Sequence, residues 1–168
     1  CVVQADAGLA LPDFTSSERN FQLISQVVGR VGRHSNESNV IIQTYQPEAP
    51  SIQFGLKQDY AGFYDFEIKN RQKQNYPPFV YLLKLTCVYK TEISAVRNSQ
   101  KEAHEIRKKF SKDIQIFGPT PAFYERIGET NRWQIVIKSK KRAQLLTIAR
   151  EFQGKPQWRV DLDPPGLI

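Results

Sequence analysis

The stretch that decides the fold is residues 132–138, which read RWQIVIK. Trp133, Ile135 and Ile137 recur at every second position, and this period of two is typical of a β-strand with one buried face. These three side chains are predicted to point into a core. The polar side chains between them then point to the other side of a sheet.

Further strands and helices are predicted on both sides of this strand. Alternating or short apolar runs indicate strands at 80–89, at 113–117 with 122–127, and at 157–163. Apolar residues three and four apart indicate helices at 93–110 and 143–152. The resulting order, β-α-β-β-α-β, is that of a ferredoxin-like split βαβ domain, which belongs to the α+β class.

In that fold two helices cover one face of the sheet, and the other face is left to polar residues. The alternation places five of them on this second face: Lys84, Arg132, Gln134, Lys138 and Arg159. A basic sheet face suits nucleic acid. Because Trp133 and Trp158 are assigned to the core, no stacking pair is evident, and contact with the phosphate backbone is favoured over base readout.

The charge distribution supports an anionic partner. The 168 residues have a formal net charge of +7, and residues 79–168 hold 17 Lys and Arg against nine Asp and Glu, a net charge of +8. Nucleic acid is the commonest partner for such a surplus, and a solubilising role is the alternative. A second basic surface lies on one flank of the 93–110 helix, where a merely solvated face explains the pattern equally well: Arg97, Lys101, Lys108 and Lys112.

Composition excludes several classes of protein. With 40% hydrophobic residues and no long apolar run, the chain is neither mainly disordered nor membrane-spanning. Cys1 and Cys87 are too few for a disulfide framework or a four-thiolate zinc site, which favours a reducing, cytoplasmic compartment. His34 and His104 have no partners at metal-ligand spacing, so no metal site is predicted.

The first part of the chain has a strand, helix, strand pattern. Val2 begins a short apolar strand, residues 18–31 predict a helix and residues 40–45 a second strand. Glu18 follows Thr15 at the spacing of a capping box. The helix has one apolar stripe: Phe21, Ile24, Val27, Val28 and Val31. The pattern suggests the edge of a parallel α/β sheet.

Residues 49–74 are predicted to be helical and to lead toward a second domain. Their expected packing positions are Ile52, Leu56, Tyr60, Phe63, Tyr64 and Ile68. Two prolines at 77–78 forbid a continuing helix and mark a boundary. The predicted organisation is therefore a first domain at 1–46, connecting helices at 47–78 and a basic domain at 79–168.

Residues 26–33 read QVVGRVGR and carry two Gly-Arg pairs. The glycines allow close approach of a partner to the backbone, and Arg30 and Arg33 project from nearly the same side of a helix. Guanidinium groups suit phosphate, including the charge that develops on a transferring phosphoryl group. The alternative is a glycine-rich helix end at which arginine interacts with the helix dipole.

These eight residues resemble motif VI of superfamily 2 helicases, and other segments narrow the resemblance. They are ADAGL at 5–9, LPDF at 11–14, IQTY at 42–45, YPPF at 76–79, RWQ at 132–134 and DLDP at 161–164. Together they resemble the C-terminal portion of the PriA family, the primosomal proteins N prime that restart bacterial replication forks. The chain also begins at Cys1 and contains no Met, which is the expectation for a fragment.

The resemblance implies that residues 1–46 end a RecA-like helicase motor lobe. Gln26, Gly29, Arg30 and Arg33 would line its ATP site, with the two arginines in a catalytic role. ATP hydrolysis with Mg²⁺ also needs a phosphate loop and an Asp-Glu box, which this sequence lacks, and the family's zinc-binding cysteines are absent from it. The chain alone is therefore expected to be inactive and free of cofactors.

The resemblance also implies binding of replication forks and single-stranded DNA by residues 79–168. Single-stranded-DNA-binding protein and primosome proteins would be partners in the bacterial cytosol, at the nucleoid. Residues 139–144, SKKRAQ, match the family's basic helix start and place Lys140 and Gln144 on one face for an acidic tail. The rival hypothesis is a non-catalytic ferredoxin-like module that binds nucleic acid or protein.

Overall fold

The computed structural model describes residues 1–30, 39–110 and 114–168. Two compact units divide the chain, unit 1 at residues 1–73 and unit 2 at residues 74–168. The described residues of unit 1 form a short 3-10 helix and three α-helices: Ala7–Ala10, α1 (Ser16–Val28), α2 (Pro50–Lys57) and α3 (Tyr60–Lys73). Those of unit 2 form four strands and two helices: β1 (Tyr81–Tyr89), α4 (Glu92–Lys109), β2 (Ile114–Ile127), β3 (Thr130–Ser139), α5 (Arg142–Glu151) and β4 (Trp158–Leu162).

Helix α1 is the centre of unit 1. Its Ile24 is fully buried against Ala5 and Ile52, and the ring of its Phe21 stacks on Phe63 with 4.2 Å between centroids. Val2 and Ile42 form a parallel β-bridge next to this core. The two strands predicted at these positions are therefore reduced to one bridge in the described residues, and the RecA-like assignment remains a prediction.

The structure refines two predictions for unit 1. The predicted helix start is confirmed at Ser16, but Thr15 before it makes no capping hydrogen bond, and its hydroxyl donates to Asp13 instead (3.0 Å). The helical pattern predicted over 49–74 forms two helices, α2 and α3, which are separated at Gln58, whose φ of 53° is left-handed. Helix α3 begins where Asp59 accepts a hydrogen bond from the N–H of Gly62 (2.9 Å). Three of the predicted packing residues are exposed instead: Leu56 in α2, and Tyr60 and Tyr64 in α3.

Unit 2 is an antiparallel sheet with strand order β2-β3-β1-β4 and two helices on one face. The predicted β-α-β-β-α-β order of elements is confirmed. The two predicted strand pieces at 113–117 and 122–127 form the single strand β2, whose pairing with β3 shifts register twice. The turn between β2 and β3 is confined to residues 128–129, since Ile127 pairs with Thr130.

The core of unit 2 lies between the sheet and helices α4 and α5. Leu85, Ile135 and Ile137 are fully buried there, and Trp133 and Trp158 pack into the same cluster, as predicted. Burial of each such aliphatic side chain stabilises the fold by about 1.5–3 kcal/mol. Cys87 is also buried in this core, and burial raises the pKa of its thiol.

Gly118 lies where β2 first leaves its regular pairing with β3. Its φ is +90°, and a Cβ atom there would lie 2.8 Å from the carbonyl oxygen of Gln134. Only glycine fits both the backbone conformation and this close approach. The carbonyl of Gly118 accepts a hydrogen bond from the Arg107 guanidinium (2.6 Å), which ties α4 to the edge strand.

Candidate functional site

The motif at residues 26–33 begins in the last turn of α1. The helix ends at Val28, Gly29 is its C-cap, and Gln26 and Arg30 are both exposed. A Cβ atom on Gly29 would lie 3.1 Å from the carbonyl oxygen of Ser25, so glycine permits the tight end of the helix. Arg33 lies outside the described residues, and its predicted pairing with Arg30 stays a prediction.

Buried hydrogen bonds hold α1 in unit 1. The side-chain amide of Asn20 donates to the carbonyl of Ala5, and the hydroxyl of Ser51 donates to the side-chain oxygen of Asn20 (3.0 Å). These bonds connect α1 to α2 and to the ADAGL segment.

Asp6, in that segment, accepts hydrogen bonds from the Thr44 hydroxyl (2.8 Å) and the N–H of Tyr45 (3.1 Å). The bond from Thr44 is the main cause that lowers the pKa of Asp6. These bonds hold the ADAGL segment at 5–9 and the IQTY segment at 42–45 together.

Arg30 could contact an anion directly. It is exposed and forms no ion pair with any other described residue. The C-terminal end of a helix does not itself attract an anion, so the guanidinium supplies the positive charge. Gln26 and Arg30 are thus both accessible to a ligand, and their role at a triphosphate site stays a prediction.

In unit 2, all five residues predicted for DNA contact lie on the sheet face opposite α4 and α5, here called the outer face. Thr86 pairs with Gln134 on one side and with Arg159 on the other, Leu82 pairs with Lys138, and Val88 pairs with Arg132. Lys84 is an even number of positions from Leu82 and Val88 on β1, so its side chain lies on the same face as theirs. The register thus brings these side chains to one surface.

The outer face is not the open surface that was predicted. Leu82, Thr86 and Val136 are at most 8% exposed, and Lys138 is 5% exposed. Of the remaining predicted residues, Arg159 is exposed, while Lys84, Arg132 and Gln134 are partly buried. The accessible cations are therefore Lys84, Arg132 and Arg159.

Lys138 is a structural cation, not a surface contact. Its Nζ donates to the carbonyl of Gln74 (3.1 Å) and lies 3.3 Å from the centroid of the Tyr76 ring and 4.9 Å from that of Phe117. Burial lowers the pKa of its ammonium group. Its predicted role as a phosphate contact is corrected on this geometry, because aromatic rings and a carbonyl already surround the charge.

Two other outer-face groups have unusual surroundings. The Nε of Arg132 and the Oε1 of Gln134 are buried and have no hydrogen-bond partner among the described residues. They are a donor and an acceptor two residues apart on the same face of β3. Such groups are rare in folded proteins, because a buried polar group without a partner costs about 1–3 kcal/mol.

The predicted tail site at Lys140 and Gln144 has a different geometry from the one expected. Helix α5 begins at Arg142, so Lys140 precedes it and the two side chains do not share a helix face. Lys140 lines a cleft of about 330 Å³, while Gln144 accepts a hydrogen bond from the Ser139 hydroxyl (2.6 Å) at the helix start. The cleft is lined by Asn75, Val80, Ile114, Gln115, Lys138, Ser139, Lys140 and Lys141.

Helix α4 carries the second basic surface. Arg97, Lys101 and Lys108 are exposed on it, and Lys112 lies outside the described residues. Since α4 packs on the core side of the sheet, this surface and the outer face lie on opposite sides of unit 2.

The described residues present neither a metal-ligand cluster nor a membrane-spanning helix. Nowhere in residues 1–30, 39–110 and 114–168 do three His, Cys, Asp or Glu side chains cluster as metal ligands would. The helices found there are too short or too polar to cross a membrane.

Comparison with known proteins gives a consistent result. The family model of the primosomal protein N C-terminal domain matches residues 72–165. The replication restart protein PriA of Bacillus subtilis is 40% identical over 90% of this chain. Proteins of the same name from Chlamydia pneumoniae and a Synechocystis strain are 33% and 39% identical over 97% and 82% of it. The chain spans about a fifth of the length of these relatives, from 16% to 23%.

Proposed function

Because the chain belongs to the family of primosomal protein N C-terminal domains, we propose that it is the C-terminal part of a replication restart protein and that unit 2 binds DNA at replication forks. The observation that carries the proposal is the sheet register. It brings Lys84, Arg132 and Arg159 to one face of a unit whose net charge is +8. Such a face holds the phosphate backbone and reads little sequence.

The proposed contacts are phosphate contacts for a physical reason. The three cations lie on three neighbouring strands, β3, β1 and β4, at positions offset along the strands, so they spread positive charge over the face. No aromatic side chain of the core can reach a base from this face, since Trp133 and Trp158 point to the helices. Affinity for DNA should therefore fall steeply with salt and vary little with sequence.

Unit 1 is proposed to complete a helicase motor lobe of RecA-like fold. The parallel bridge between Val2 and Ile42, with α1 between them in sequence, supports this assignment. Gln26, Gly29, Arg30 and Arg33 would then line an ATP site shared with the rest of the parent protein. ATP with Mg²⁺ supplies the transferable phosphoryl group there, and the exposed Arg30 would stabilise the negative charge on the triphosphate.

The cleft beside Lys140 supports a second proposed partner, the acidic C-terminal tail of single-stranded-DNA-binding protein. Lys140 and Lys141 supply positive charge at the start of α5, and Val80 and Ile114 supply an apolar wall. A carboxylate-terminated peptide needs both features. This partner, like the primosome and the bacterial cytosol, is proposed for the whole replication restart protein.

Titration of fluorescent DNA with the chain tests the main proposal. A branched, a single-stranded and a duplex DNA are compared at several salt concentrations. The proposal expects binding of branched DNA that weakens steeply as salt rises. Absence of binding at low salt, or an affinity that salt does not change, would contradict it and would favour a module that binds protein.

A further inference from the structure

Strand β2, at the edge of the unit 2 sheet, carries exposed aromatic side chains that the phosphate contacts do not use. Phe123 is 44% exposed, Tyr124 is 63% exposed, and Phe117 on the same strand is 50% exposed. An aromatic side chain can bury 150–250 Å² when it packs, so exposed neighbouring rings offer a large contact area to a ligand.

The backbone of β2 places two of these rings outside the regular ladder. Pro121 pairs with Trp133 and Arg126 pairs with Asn131, so five residue steps along β2 lie opposite two steps along β3. Residues 122–125 therefore bulge from the sheet edge. Bulges on edge strands redirect side chains and often lie next to binding sites.

The two rings in the bulge form a defined pair. Their centroids are 5.0 Å apart and their planes are inclined by 86°, an edge-to-face arrangement. The contact leaves both side chains accessible, since each keeps more than two fifths of its surface exposed. The open face of each ring can therefore stack on a planar group.

Charged side chains of both signs surround the rings. Glu125 and Glu129 are exposed in the same hairpin as Arg126, and Arg132 lies on the partner strand β3 with an unpartnered Nε. A nucleic acid strand joins flat apolar faces to negative charge, which the two arginines can hold. Bases in a duplex are stacked on one another, so only unpaired bases expose their faces to protein rings.

We propose that Phe123 and Tyr124 stack on unpaired bases of a single DNA strand, whose phosphates are held by Arg126 and the outer-face cations. The inference rests on the proposed function, because it assumes that unit 2 binds DNA, and it adds that the chain distinguishes unpaired from paired DNA. Every base has a π-face, so stacking gives this preference without sequence readout.

The test compares the wild-type chain with the double variant Phe123→Ala/Tyr124→Ala in fluorescence anisotropy. The probes are an oligothymidylate of about 20 nucleotides, long enough for a binding site of this kind, and a blunt duplex of equal length. The double variant should bind oligothymidylate at least about tenfold more weakly, since one stacked base contributes about 1–3 kcal/mol. Its affinity for duplex and its salt slope should stay unchanged, because no phosphate contact is removed.

Three matched variants make the result specific. The aromatic substitutions Phe123→Trp and Tyr124→Phe should keep the affinity for oligothymidylate. Ile93→Ala removes another exposed apolar side chain of unit 2, which is 81% exposed. This variant should bind both probes with wild-type affinity. Circular dichroism and thermal unfolding confirm that each variant is folded.

The Tyr124→Trp variant gives a direct signal that does not depend on the alanine variants. Trp158 is buried and Trp133 packs in the core, so a new exposed indole at 124 should be quenched when oligothymidylate is added and not when duplex is added. Unquenched fluorescence at saturation, or equal losses of affinity for both probes in the double variant, would overturn the stacking proposal. If the wild type binds neither probe, the stacking proposal fails, and the proposed function fails as well if branched DNA is also not bound.

Discussion

Two substitutions on the outer face should have different effects on DNA binding although each removes one positive charge. Arg159 is exposed on β4, whereas Lys138 is 5% exposed and its ammonium group contacts the Gln74 carbonyl and the Tyr76 ring. If phosphate contact is the source of affinity, Arg159→Ala should weaken the salt dependence. Lys138→Met should leave the salt dependence as it is.

The expected size follows from the number of accessible cations. Each phosphate contact contributes about −0.9 to the slope of log affinity against log salt on duplex DNA. Contacts from Lys84, Arg132 and Arg159 give a slope of about −2.7, so affinity falls roughly 40-fold between about 50 and 200 mM salt. With Arg159→Ala the slope becomes about −1.8 and the fall about 12-fold.

The assay is fluorescence anisotropy with one labelled duplex over a salt series, for the wild type and both variants. Urea denaturation of each variant measures its folding, because Lys138 contributes to the packing of unit 2. An equal loss of slope in Lys138→Met and Arg159→Ala would refute the distinction between a buried and an accessible cation. An unchanged slope in Arg159→Ala would place the phosphate contacts elsewhere.

Three further predictions concern the motor residues, the cleft and the buried lysine. In the full-length parent protein, Arg30→Ala or Arg33→Ala should lower ATP turnover by about a thousandfold or more with less effect on ATP binding, as loss of an arginine finger does; near-normal turnover in a phosphate-release assay would contradict the role. Lys140→Glu should remove most binding of an acidic peptide with a C-terminal aromatic residue, because the cleft then repels the peptide's carboxylates. Titration of labelled peptide measures this, and equal affinity for the wild type and the variant would exclude the cleft as the peptide site. Burial lowers the pKa of Lys138, so the folded chain loses this proton at lower pH than the unfolded chain. The unfolding free energy of the wild type relative to Lys138→Met should therefore rise from about pH 7 to pH 10 in urea titrations, and a constant difference would contradict the shift.

The sheet of unit 2 was predictable because its pattern is local. Trp133, Ile135 and Ile137 alternate over one short strand, and alternation alone decides which side chains face the core. The same alternation along β1 and β4 assigns Lys84 and Arg159 to the outer face, and it does not depend on which strands pair with them. Alternation could not predict how strongly each outer-face side chain is buried.

The depth of Lys138 depends on partners far away in sequence. Tyr76 and the Gln74 carbonyl reach it across more than 60 positions, and no local pattern marks that contact. The break at Gln58 within the helical pattern at 49–74 is likewise not marked by any local pattern. Its left-handed conformation is rare outside glycine, so helical periodicity gave no sign of the interruption.

The sequence around Phe123 and Tyr124 contains a signal for their exposure. Neighbouring residues of a strand point to opposite faces, so two adjacent aromatics cannot both enter a core from a regular strand. One of them had to be exposed, or the strand had to be irregular. The structure shows both results at once: a bulge, and two exposed rings.

The most direct test of the account is a comparison of two triple variants that lose equal charge on opposite sides of unit 2. One removes the accessible outer-face cations, Lys84→Ala/Arg132→Ala/Arg159→Ala, and the other the exposed α4 cations, Arg97→Ala/Lys101→Ala/Lys108→Ala. The slope of log affinity against log salt for duplex should change from about −2.7 to near zero in the first variant. In the second variant it should differ from the wild-type slope by less than about one unit. Equal losses in both, or the larger loss in the α4 variant, would contradict DNA binding by the outer face.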